Sequence, residues 1–264
     1  MDPITRSIPS HAVLLDARPR AQYEAGHLAG AIHADPDRQL AAPDDPSRGG
    51  RHPLPPLERW LQQLGAWGIG PETAVVIYDD AFGGNAAARA WWMLRAVGHE
   101  NVAVLDGGLR AYDLPRTKDE PRPEAREPYP AHSWQWPTVD MSEVDARRED
   151  RQWKVLDVRS SERYRGETEP IDPIAGHIPG AVNLPYLENL HDGVRFKDAD
   201  SLRAQYERLL GDTPVDHLIV HCGSGVTACH TLLALDAAGL HGASLYVGSW
   251  SEWCRNDKPR SPGS

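Results

Sequence analysis

"VLLDARPRAQYEAGHLAGAIHAD", Val13 to Asp35, returns later in the chain as "KVLDVRSSERYRGETEPIDPIAGHIPGAVNLP", Lys154 to Pro185. In both copies an apolar run ends on an aspartate, Asp16 or Asp157, and a Gly-His step follows, Gly26-His27 or Gly176-His177 after a short insertion. Further on, "AVVIYDDAFGGNAAARAWWMLRAVGHENVAVLDGGLRAY" is matched by "HLIVHCGSGVTACHTLLALDAAGLHGASLYVGSWSEW". Asp16, Asp79 and Gly107 each find a counterpart about 140 residues later, a period far too long for a solenoid and right for a duplicated domain. A chain of 264 residues exceeds the usual single-domain size, which agrees with two domains.

Each copy alternates short apolar runs with segments of helical periodicity. "AVLLD", "AVVIYD" and "VAVLD" in the first copy, and "KVLDV", "HLIVHC" and "SLYVG" in the second, are continuous apolar runs that suit strands buried on both faces. Between them "LERWLQQLGAW", "NAAARAWWMLRAVG", "DSLRAQYERLLG" and "TACHTLLALDAAG" carry helical spacing, with Gly98 as a stop after the second of these. The expected fold class is therefore α/β, with two domains that are each a parallel sheet flanked by helices. Residues 1–115 and 141–264 form the expected domains, and residues 116–140 the expected proline-rich linker. That connection, within "DLPRTKDEPRPEAREPYPAHSWQWPT", resists helix and central strand alike. Its Tyr129, Trp134 and Trp136 are costly to expose and predict that it is pinned to a domain.

Charge and composition exclude several function classes. A net charge of −10 and a pI near 5.6 disfavour a nucleic-acid-binding surface while leaving room for a local positive pocket. No apolar run approaches the roughly 20 residues of a membrane helix, and "MDPITRSIPS" lacks the pattern of a leader, so a cytoplasmic protein without a membrane partner is expected. Cys222, Cys229 and Cys254 are odd in number and confined to the last quarter, which argues for reduced thiols over a disulfide framework.

Cys222 stands apart from the other two. It follows Leu218-Ile219-Val220-His221 and precedes a helix expected to start near Val226 or Thr227, so it sits where a strand ends and faces a helix N-terminus. Unpaired N–H groups and the positive end of the helix dipole favour a thiolate and bound anions there. Gly223 and Gly225 let the loop curl so that N–H groups of Gly223, Ser224, Gly225, Val226 and Thr227 form an anion cradle. The hydroxyls of Ser224 and Thr227 can donate into it, and Thr227 can also cap the helix. Cys229 and Cys254 read as buried packing residues. No paired C-x-x-C spacing supports a metal site.

"HC" with a glycine-rich loop resembles the protein tyrosine phosphatases, but their arginine six residues beyond the cysteine is Ala228 here, and a phosphoryl dianion would lose its bidentate partner. "HCGSGVTA", "AGHIPGAVNLP", "GSWSEW" and the duplication together resemble the tandem-domain rhodanese family, the thiosulfate and 3-mercaptopyruvate sulfurtransferases, over nearly the whole chain. The resemblance implies a silent first domain, in which Asp79 stands where Cys222 does, and a second domain whose cysteine carries sulfur as a persulfide to cyanide or a thiol. It implies small-molecule partners and no metal or organic cofactor, and a monomer is expected. It also implies that Arg163 holds a donor carboxylate, with Arg165 as a further cation because the family's later arginine falls near Asp172. Asp37 and His52 match positions of a proton relay acting with the loop serine. The donor stays open between thiosulfate and 3-mercaptopyruvate, and a non-catalytic sulfur-binding or interaction module and a phosphatase are the alternatives.

Overall fold

The computed structural model describes residues 1–80 and 86–261. Residues 81–85, which belong to the first-copy counterpart of the Cys222 loop, lie outside the described residues. The chain divides into two compact units, residues 1–42 with 55–136, and residues 43–54 with 137–264. Residues 43–54 thus come from the first half of the sequence and pack with the second unit.

The first unit runs β1 (Ile4–Thr5), β2 (Val13–Asp16), α1 (Arg20–Ala25), β3 (His27–Leu28), β4 (Ile32–His33), α2 (Leu57–Ala66), β5 (Val75–Tyr78), α3 (Ala86–Ala96), β6 (Val102–Leu105) and β7 (Arg116–Thr117). Its main sheet has the order β1-β6-β5-β2-β4, every pair parallel. The second unit runs β8 (Thr138–Val139), α4 (Met141–Arg147), β9 (Lys154–Asp157), α5 (Ser161–Tyr164), β10 (Val182–Asn183), α6 (Ala199–Leu210), β11 (Leu218–His221), α7 (Ala228–Ala237), β12 (Ser244–Tyr246) and α8 (Ser249–Trp253). Its sheet, β10-β9-β11-β12-β8, is also parallel and repeats the first order strand for strand. The two units are therefore α/β domains of one topology. Strands β5 and β11 are buried throughout, which is why they are written as uninterrupted apolar runs.

The connection is held along the first unit. Arg126 and Tyr129 donate backbone N–H groups to Gly65 and Leu61 of α2, at 2.8 and 3.0 Å, and Gln135 donates to Ala96 of α3 at 2.6 Å. Trp136 meets Trp91 edge-on and Trp134 stacks on Trp92. Gly65 makes this possible from inside α2, where a methyl group would lie 2.6 Å from the Glu127 carbonyl. Close approach of the connection explains a glycine at a position where helix propensity disfavours one.

The repeated aspartates are structural. The Arg18 guanidinium donates to Asp16 at 2.6 Å and to the Gly26 carbonyl at 2.7 Å. Arg159 donates to Asp157 at 2.6 Å and to the Gly176 carbonyl at 2.8 Å. Each pair ties the end of a strand to the Gly-His step, whose imidazole bonds a backbone carbonyl, His27 to Tyr23 and His177 to Tyr164. One difference separates the copies. Tyr78 donates its hydroxyl to Asp16 at 2.9 Å, whereas His221 takes its place in β11, with Nε2 3.8 Å from Asp157. Among the described residues no helix is long and apolar enough to cross a membrane.

Candidate active site

Cys222 leaves the buried end of β11 with 2 % exposure, and the loop 222–227 runs into α7. Two carbonyls of the loop are fastened to α8: Trp250 donates its N–H to Cys222 and Ser251 to Gly223, at 3.1 and 2.9 Å. With the carbonyls turned that way, the N–H groups of Gly223, Ser224, Val226 and Thr227 have no protein acceptor among the described residues. Gly225 adopts φ 76°, and a methyl group there would collide with the Val247 carbonyl, so the turn requires glycine. The arrangement is a curled run of backbone donors beside a thiol, suited to an anionic sulfur.

Thr227 stands at the N-cap of α7, yet in helical conformation and with no side-chain capping bond, so the expected cap does not form. Its hydroxyl is not committed to the helix. Ser224 is buried, and its Oγ shares a 2.8 Å hydrogen bond with Nδ1 of His52, the direction depending on the imidazole tautomer. This pairing lies within the second unit because residues 43–54 belong to it. Asp37 belongs to the first unit, exposed, with its N–H donated to Asp35.

Arg163 and Arg165 separate sharply. Arg163, on α5, is 18 % exposed and donates to Glu169 at 2.7 and 3.2 Å. A methyl group on Gly223 would lie 3.4 Å from its guanidinium nitrogens, so Arg163 covers the residue next to Cys222. Arg165 instead pairs with Glu167 in an exposed ion pair.

Around the thiol the ionic groups are buried and matched. Burial alone would raise the Asp157 carboxyl, but the charge and hydrogen bonds of Arg159, with the nearby His221, hold it below the ordinary carboxylate range. Burial pushes the His221 imidazole down against the opposing pull of Asp157, so His221 is neutral at working pH. The other thiols are committed elsewhere. Cys229 donates to the Gly225 carbonyl at 3.3 Å, and burial, with the charge of Asp172, pushes the Cys254 thiol up. No group of three or more metal-binding side chains occurs among the described residues.

Two features were not legible as site residues. Arg51 donates Nε to Asp172 at 3.1 Å, and its Nη2 would lie 3.2 Å from a methyl group on Gly223. Ser249 is the non-glycine residue with left-handed backbone, φ 54°, among those described. Its Oγ accepts the Cys222 N–H at 3.2 Å and donates to the Tyr246 carbonyl at 2.9 Å. The available signal was the first copy, where "DGGL" puts Gly108, φ 60°, at the position that "VGSW" gives to Ser249. The second copy accepts backbone strain and gains a hydroxyl that anchors the cysteine.

That exchange predicts opposite effects on stability and turnover. Ser249→Gly should be more stable than Ser249→Ala by about 1 kcal/mol, since only glycine relieves the strain. Both should lower turnover several-fold by releasing the Cys222 N–H. Thermal midpoints and initial rates measured side by side decide it, and wild-type rates in both variants would remove Ser249 from the positioning of the loop.

Comparison with known proteins places this geometry. The profile described as "Rhodanese-like domain" matches residues 6–114 and again 140–256. The chain is 42 % identical over 246 residues to a Pseudomonas aeruginosa protein named "Probable 3-mercaptopyruvate sulfurtransferase", covering 91 % of this chain and 84 % of that one. It is 36 % identical over 248 residues to the human 3-mercaptopyruvate sulfurtransferase, covering 91 % and 81 %. The solved structure of 3-mercaptopyruvate sulfurtransferase from Leishmania major superposes with a TM-score of 0.80 at 29 % identity, over 93 % of this chain and 71 % of that one. A twice-matched domain, a repeated parallel sheet and a cysteine in a donor-lined loop agree, and the chain belongs to the rhodanese-like family, as a sulfurtransferase of two such domains.

Proposed function

We propose that the protein takes a sulfane sulfur from 3-mercaptopyruvate onto Cys222 and passes it, from a persulfide, to a thiol or cyanide. The observation that carries the choice of donor is the 2.8 Å contact between His52 and Ser224, two residues beyond the cysteine. The Cys222 thiolate attacks the sulfur of the donor, a S–S bond forms, and the C–S bond breaks with its electron pair left on carbon as the enolate of pyruvate. That carbanion needs a proton, and the Ser224 hydroxyl backed by the His52 imidazole is a chain that can deliver one. The proton lost from the donor's thiol balances it, leaving pyruvate and an anionic persulfide. Thiosulfate would release sulfite, which needs no proton to leave. The N–H groups of the loop steady the charge on the outer sulfur without a change of geometry. Cyanide or a thiolate then attacks that sulfur, and the electron pair of the S–S bond returns to Cys222. Asp79 in the first unit cannot form such a bond, which supports reading that unit as non-catalytic.

The test compares donors in the variants His52→Gln and Ser224→Ala. Turnover of 3-mercaptopyruvate should fall by about 10²-fold, the usual range for losing a positioned acid. Turnover of thiosulfate, slow or not, should change by less than about threefold on the same reasoning. Equal losses on both donors would show that the pair holds the loop and carries no proton, and a wild type that uses thiosulfate alone would overturn the donor assignment.

A further inference from the structure

His52 reaches Ser224 from residues 43–54, a stretch that carries no helix or strand of its own. Such a segment takes its place from its contacts, and a proton donor acts only within hydrogen-bond reach of its partner. The contacts come from α8 and the residues around it. Gly49 donates its N–H to Oε1 of Glu252 at 2.7 Å, and Arg51 donates its N–H to the Ser251 hydroxyl at 3.1 Å. Gly50, at φ 77°, lies so close to the Gly248 carbonyl that a methyl group would collide with it. Asn256 adds a bond to the Ser47 carbonyl at 2.9 Å.

Among these anchors of the backbone Glu252 is the charged one. A carboxylate accepting a backbone N–H makes a bond roughly twice as strong as a neutral pair. Its other oxygen is taken as well: Tyr246, fully buried at the end of β12, donates its hydroxyl to Oε2 at 2.8 Å. Burial, with the charge of Glu252, pushes that phenol up, so it stays a donor at working pH. The carboxylate folds back over Gly248, where a methyl group would collide with Oε2. At φ −63° Gly248 has a conformation open to any residue, so the room it leaves is for the acid. The preceding residues hold the nucleophile: Ser249 Oγ accepts the Cys222 N–H, and Trp250 and Ser251 donate to the carbonyls of Cys222 and Gly223. The run from Ser249 to Glu252 thus grips the cysteine loop on one side and the His52 segment on the other. The first copy lacks this device. Aligning "VLDGGLRAY" with "LYVGSWSEW" sets Leu105 against Tyr246, Arg110 against Ser251 and Ala111 against Glu252, so acid and phenol occur together in the copy that has the thiol.

We propose that Glu252 is a positioning residue for sulfur transfer: held by Tyr246, its carboxylate fixes Gly49 and so sets the His52 imidazole against the Ser224 hydroxyl. Glu252 touches neither donor nor thiol and acts through His52. The inference rests on the reading that His52 and Ser224 deliver the proton to the enolate left by 3-mercaptopyruvate.

The experiment separates two half-reactions. The burst of pyruvate from 3-mercaptopyruvate needs the proton, whereas release of thiocyanate when cyanide meets the isolated persulfide does not. Glu252→Ala should slow the burst by about 10-fold, less than the loss for His52→Gln because the imidazole is displaced and not removed. Thiocyanate release should stay within about twofold of wild type. Glu252→Gln, whose amide oxygen still accepts from Gly49, should bring the burst back to within about threefold of wild type. In the His52→Gln background Glu252→Ala should have no further effect, since the two act through one contact. Tyr246→Phe, which leaves the carboxylate in place, should slow the burst alone by about threefold and carries the test if Glu252→Ala does not fold. Equal slowing of both half-reactions, or losses that multiply in the double variant, would reduce Glu252 to a structural residue and leave the His52 reading standing. If His52→Gln itself slowed both alike, the proton role of His52 would fall, and that of Glu252 with it.

Discussion

Replacing Cys222 by serine should abolish thiocyanate formation from either donor, a loss on the order of 10³-fold or more. The substitution changes one atom and little packing, so the protein should fold with wild-type stability. Serine fails because its hydroxyl is scarcely ionised at neutral pH and cannot hold a transferable sulfur. Neither of the other two cysteines is placed to rescue it. Cys229 faces the Gly225 carbonyl from inside α7, and the Cys254 thiol is buried and pushed up in pKa. Mass measurement after incubation with donor should find one added sulfur atom on wild type and none on the variant. Residual turnover of a tenth or more would show that the sulfur travels by another route, whatever the loop resembles.

The contrast between Cys222 and Arg51 shows what a sequence makes legible. Cys222 is defined by its immediate neighbours: an apolar run before it, glycines after it, and a helix beyond, all local facts that fix a strand end and a helix start. The duplication supplied the rest, because Asp16 and Asp157 report one structural role twice and Asp79 marks the copy without a thiol. Arg51 has partners at Asp172, Gly223 and Ser251, all distant in sequence, and nothing in "GGRHP" announces them. Thr227 illustrates the reverse error. A threonine before a helix is a good cap by type, but its backbone has already turned helical, which removes the extended geometry a cap needs. Arg165 failed for a related reason: sequence places it two residues from Arg163, and on so short a helix that spacing sends the two guanidinium groups to different acids.

Arg159→Leu should destabilise the second unit by roughly 3–5 kcal/mol, the cost of leaving a buried carboxylate unpaired. The arginine is almost fully buried, bonds both oxygens of Asp157, and donates to the Gly176 carbonyl, so its loss strands an acceptor as well as a charge. Its guanidinium also lies over the Trp250 ring, 4.9 Å from the centroid, next to the helix that holds the Cys222 loop. Unfolding of this unit should therefore be readable as loss of turnover at lower urea. The pH dependence follows from the same residues. The unfolded His221 imidazole takes a proton below about 6.5 while the buried one resists it, so stability falls as pH drops through that value. Asp157, held below the ordinary range when folded, adds stability that is complete above about 4 and is lost as pH falls further through its folded pKa. Both groups push the same way, and wild type should weaken steadily on acidification. His221→Gln should flatten the upper part of that curve and Asp157→Asn the lower, with Asp157→Asn also losing stability at neutral pH. A urea midpoint that does not move between pH 8 and pH 5 in wild type would mean that folding leaves the His221 imidazole unshifted, and one that rises on acidification would mean that His221 is charged in the fold and that its contact with Asp157 is an ion pair.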